Sequence, residues 1–96
     1  MKLSAKIKLK RLEIIAIVEK NHALYPRILL NDLKGYDLDE TFLEIVVDRT
    51  YEFMPEDIGK IQHQLEQLLA VAIYAYTPNQ LPDSHREKLL AMARVI

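Results

Sequence analysis

The chain has 96 residues, enough for one domain and too few for a second core. Half of it is hydrophobic, 28% is charged and it holds no cysteine, which excludes a disordered chain, a disulfide scaffold, thiol catalysis and cysteine-ligated zinc. The net charge of −1 argues against a nucleic-acid binder, which carries a basic surplus, but it is unevenly spread: residues 1–34 hold eight Lys/Arg and three Asp/Glu, residues 35–67 two and nine.

The opening MKLSAKIKLKRLEIIAIVEK has only five apolar residues in its longest run, Ile14 to Val18, short of a secretory h-region. A cytoplasmic location is therefore expected. Ala5, Ile7 and Leu9 alternate with lysines in strand fashion, but Leu9, Leu12, Ile15 and Ala16 recur at helical spacing, so a helix is expected over about 4–21 with an uncertain first turn. Tyr25-Pro26 can begin a second, short helix ending at Gly35. A third is expected from the Asp37/Glu40 capping box, with Leu38, Phe42, Ile45 and Val46 buried, although Ile45-Val46-Val47 is also strand-like. After Met54-Pro55, the residues Ile58, Ile61, Leu65, Leu68, Ala72 and Ala75 continue a three–four pattern. The apolar run Leu68–Tyr76 rises about 14 Å as a helix, half a bilayer core, and is read as buried rather than membrane-spanning. Prolines 78 and 82 make a loop, and Ser84 with Glu87 caps a last helix reaching Ile96. The expectation is a single all-α domain over residues 1–96, an antiparallel four-helix bundle with one additional short helix.

No catalytic, cofactor or metal set emerges. Glu19-x-x-His22 is half of a di-iron helix signature without its second copy, and His63 and His85 lack the matching glutamate. The stretch from Asp32 to Asp37 does not follow the EF-hand order, and Ser4 and Ser84 read as caps. No enzyme activity is expected. Glu40, Glu44, Asp48, Glu52 and Glu56 repeat every four residues, which on a helix makes an acidic strip, either solvated or docked against a basic partner.

The charged first helix, Tyr25-Pro-Arg-Ile-Leu-Leu-x-x-Leu33, the acidic third segment and the hairpin IGKIQHQLEQLLAVAIYAYTPNQLPDSHREKLLAMARVI together resemble the enterocin A immunity family, the cytosolic immunity proteins of pediocin-like bacteriocins. The resemblance implies a bundle that protects a toxin producer by binding the toxin's membrane receptor, a mannose phosphotransferase permease. It also implies a partner-binding surface of Tyr76, Asn79, Gln80, His85, Arg86, Lys88 and Arg94. Two other readings stand beside it: an adaptor using the acidic strip, and a peripheral membrane contact through Lys2, Lys6, Lys8, Lys10 and Arg11 with Leu9 and Leu12.

Overall fold

The computed structural model describes residues 1–29 and 41–96. It is an α/β structure, not a helical bundle. Helices α1 (Leu3–Leu9) and α2 (Arg11–Lys20) are separated by Lys10, in place of one helix over 4–21. Strand β1 (Ala23–Ile28) and strand β2 (Phe42–Arg49) stand where two helices were expected. Helix α3 (Glu56–Leu69) takes in only the first two residues of the apolar run, most of which instead becomes strand β3 (Ala72–Tyr76). A 3₁₀ turn (Pro78–Gln80), helix α4 (Arg86–Met92) and the two-residue strand β4 (Arg94–Val95) complete the order. The expected stop at Gly35, and the box Asp37/Glu40, lie outside the described residues.

The four strands form one sheet in the order β3-β2-β1-β4. β1 runs antiparallel to β2 and β4, while β2 and β3 are parallel, joined across the sheet by α3. The third segment folds as a strand because its centre is buried on both faces. Ile45, Val46 and Val47 are each 0% exposed, and β-branched side chains fit a pleated surface covered on both sides. On one face Leu43, Ile45, Val47, Ile73 and Ala75 pack with Leu3, Ile7, Ile14, Val18, Ile61, Leu65 and Leu69 of the helices. On the other, Val46 and Leu29 meet Leu81, with Leu89, Leu90 and Ala93 packed around them.

α3 ends because Ala70 turns left-handed (φ 59°), and the chain leaves the helix there with the Ala70 N–H still bonded to the Glu66 carbonyl. That turn sends Val71 onward into β3. Proline is tolerated inside β1 because it sits at an irregularity: the pairing with β2 shifts between Leu24 and Arg27, and Tyr25 there has a φ of 53°. The expected cap at Ser84 is displaced; α4 starts two residues later, with His85 preceding it and no side-chain cap.

Candidate functional site

Alternation along β2 places Phe42, Glu44, Val46 and Asp48 on the sheet face opposite the main helical layer. The parallel register brings Glu44 beside Tyr74 and Val46 beside Tyr76. The core on this face, built around Val46 and Leu81, includes the ring of Tyr76 and leaves Tyr74 about half exposed (49%). Phe42 and Tyr74 meet edge to face, ring centres 6.1 Å apart at 69°, a favourable arrangement of the ring quadrupoles.

The Tyr76 phenol lies beside the Glu44 side chain. Burial, reinforced by the neighbouring Glu44 carboxylate, pushes the phenol above its ordinary value. Tyr76 therefore keeps its proton at neutral pH, beside the Glu44 side chain. Four residues further along β2, Arg27 Nη2 pairs with Asp48 Oδ1 at 2.7 Å, and its Nε is buried without a partner among the described residues. Around Glu44 the face thus offers a carboxylate, a protonated phenol and an exposed aromatic ring.

A second polar cluster lies at the far end of β2. Asp57, in the first turn of α3 and 2% exposed, accepts the Met54 N–H (2.9 Å) and faces His22 Nδ1 (3.2 Å). Glu52 is 3.7 Å from His22 Nε2. His22 itself has a left-handed backbone (φ 64°), and its carbonyl accepts both the N–H and the hydroxyl of Thr50. This cluster ties the end of α2 to the start of α3.

The expected acidic strip does not form. Glu40 lies outside the described residues; Glu44 and Asp48 share a sheet face, about 13 Å apart at strand rise. Glu52 belongs to the turn beside His22, and Glu56 is the first residue of α3. The expected partner surface is also dispersed. Tyr76 is on β3, and Asn79 and Gln80 are exposed in the 3₁₀ turn, where the Gln80 side chain accepts the Thr77 N–H. Arg86 is internal to the fold: its guanidinium donates to the carbonyls of Pro78 (2.9 Å) and Leu81 (3.1 Å) and to Asp83 (2.6 Å). His85 and Lys88 are exposed at α4, and Arg94 is exposed on β4. Sequence reasoning named both Glu44 and Tyr76, in separate surfaces; the missed signal was the strand alternation AIYAY, which sets Tyr74 and Tyr76 on one face.

No protein-family model and no curated protein matches the chain. Among solved structures, one described as a candidate minimal nucleotidyltransferase is similar, with 20% identity, a TM-score of 0.78, and coverage of 97% of this chain and 94% of that one. The chain shares that fold. The likeness and the mixed sheet overturn the four-helix bundle, the immunity function that rested on it, and the expectation of a non-enzymatic protein. Among the described residues, no helix is long and apolar enough to cross a membrane.

Proposed function

We propose that this protein binds a nucleoside triphosphate and transfers its nucleotidyl group, using the sheet face around Glu44. The observation that carries this reading is the end-to-end likeness to a candidate minimal nucleotidyltransferase. The residues on that face suit the task. Tyr74 can stack on a nucleobase, because every base presents a π-face. Glu44 can accept the proton of an attacking hydroxyl as that oxygen bonds to the α-phosphorus and pyrophosphate leaves, with the Tyr76 phenol beside it. Metal-assisted transfer uses two cations about 3.5–4 Å apart. Among the described residues no three His, Cys, Asp or Glu side chains cluster to hold a metal ion, and no step is routed through one. The cysteine-free composition fits work in the cytoplasm.

Calorimetric titration of the purified protein with each of the four nucleoside triphosphates tests the reading. One or more should bind, Tyr74→Ala should weaken that binding about tenfold, and Glu44→Gln should abolish pyrophosphate release while leaving binding largely intact. Absence of binding by any nucleotide at millimolar concentration, with the fold intact by circular dichroism, sinks the proposal.

A further inference from the structure

His22 is presented in a way that tying α2 to α3 does not require. Its backbone is held left-handed (φ 64°) by the two hydrogen bonds that its carbonyl accepts from Thr50. Its ring is fixed from behind by Asp57, which the Met54 N–H keeps ionised at neutral pH. An ionised carboxylate only accepts hydrogen bonds, so the proton shared with Asp57 (3.2 Å) sits on Nδ1 and the neutral ring keeps its lone pair on Nε2. The His22 side chain is 43% exposed, so a solute can reach it.

Nε2 faces a second carboxylate. Glu52, in the turn after β2, sets Oε2 3.7 Å away. Glu19, of the Glu19-x-x-His22 pattern, meets His22 through the backbone instead, its carbonyl accepting the His22 N–H. The Glu52 separation is too long for a hydrogen bond, whose N···O distance is about 2.7–3.2 Å. It suits a shared cation: zinc bonds of about 2.0–2.2 Å at the tetrahedral angle hold two donors about 3.4 Å apart. A small rotation of the exposed Glu52 side chain closes the difference. The carboxylate behind the ring completes the pattern, because metal-binding histidines commonly donate their other N–H to one, which orients the ring and raises its basicity. Asp57 stands on the Nδ1 side and is not itself a ligand, so the protein supplies two donors and water the rest. Imidazole with carboxylate suits zinc, whereas calcium and magnesium take oxygen donors.

We propose that His22 Nε2 and Glu52 bind a zinc ion at the far end of β2, with Asp57 orienting the imidazole from behind. The ion joins the turn at Glu52 to the end of α2 and, through Asp57, to the start of α3. The site is separate from the Glu44 face and does not depend on nucleotidyl transfer.

Calorimetric titration of the tag-free protein with zinc chloride at neutral pH should show a single ion bound per chain. Zinc should also raise the melting temperature, as a ligand of the folded state does. His22→Asn keeps a residue that tolerates left-handed backbone, and it should remove both effects with an unchanged circular dichroism spectrum. Glu52→Gln, at an exposed position, should weaken binding several-fold. Asp57→Asn should weaken it about 10–100-fold in protein that remains folded. Nitrogen NMR of the imidazoles should place the zinc-induced shift at Nε2 of His22 and leave His63 and His85 unmoved. Absence of binding at millimolar zinc overturns the proposal. So does binding that His22→Asn leaves intact, or a shift at His63 or His85 in place of His22. An affinity that neither Glu52→Gln nor Asp57→Asn changes marks an unassisted surface histidine and equally overturns it.

Discussion

Asp57 combines near-complete burial with three separate attachments. Its carboxylate closes the first turn of α3 by accepting the Met54 N–H, meets the His22 ring, and lies 3.9 Å from the Lys60 ammonium. The Met54 hydrogen bond is the largest influence and holds its pKa below the ordinary carboxylate range; burial opposes this, and the bond and charge of His22 and then Lys60 add to it. Because the folded pKa is the lower one, the resulting stability is fully present above the unfolded value. It fades as pH falls through that value toward the folded one. Asp57→Asn should therefore lower the urea midpoint at pH 7, and the gap to wild type should narrow steadily below about pH 4. At Ala70 the backbone is left-handed, which costs an L-residue about 1–2 kcal/mol, while glycine adds about 0.5–1 kcal/mol of unfolded-state entropy. Ala70→Gly should raise stability by the difference, about 0.5–1 kcal/mol, measurable by denaturant melts. The sequence alone exposed neither role: Asp57 reads as one more acidic residue, and the end of α3 carries no glycine to mark it.

At the level of elements, the helical stretch over about 4–21, without its break at Lys10, and the body of α3 were legible, and the strands were not. Ile58, Ile61 and Leu65 do line α3, but its apolar continuation is strand β3. The confusion has a physical origin. A spacing of four residues satisfies both a helix of period 3.6 and a strand of period 2, so Glu44 and Asp48 share a face in either structure. The decisive signal in Ile45-Val46-Val47 was β-branching, which the neighbouring capping residues outweighed in the sequence reading. β3 also shows how an edge strand is kept from pairing further. Its Ile73 N–H donates to Glu66 Oε1 (3.2 Å) and its Ala75 N–H to Gln62 Oε1 (3.0 Å). Four residues of helix rise about 6.0 Å and two residues of strand about 6.6 Å, so side chains one turn apart on α3 match successive outward donors on β3. Gln62→Ala with Glu66→Ala should cost about 1–2 kcal/mol and make the protein aggregate on mild heating, followed by light scattering. Unchanged solubility and midpoint would show that these two bonds do not guard the edge.

Over the whole molecule, the main core was partly visible: Ile61 and Leu65 are buried as the periodicity requires, at 0% and 1% exposure. Leu65→Ala should cost about 2–5 kcal/mol, read from the urea midpoint. The site was less legible because its residues come from strands paired over long sequence separations. Glu44 and Tyr74 become neighbours only through the crossover of α3, and a linear pattern carries little information about which strands will pair.

The order β3-β2-β1-β4 gives the last residues a part in the first strand. Arg94 and Val95 pair with Ile28 and Arg27, Ile96 donates its N–H to the Pro26 carbonyl, and Arg11 Nε binds the Ile96 carbonyl across 85 positions of sequence. On a translating ribosome, β1 can find β2 early, but its other edge stays open until residues 94–96 have cleared the exit tunnel. Until then the nascent chain presents an unpaired strand edge to its surroundings.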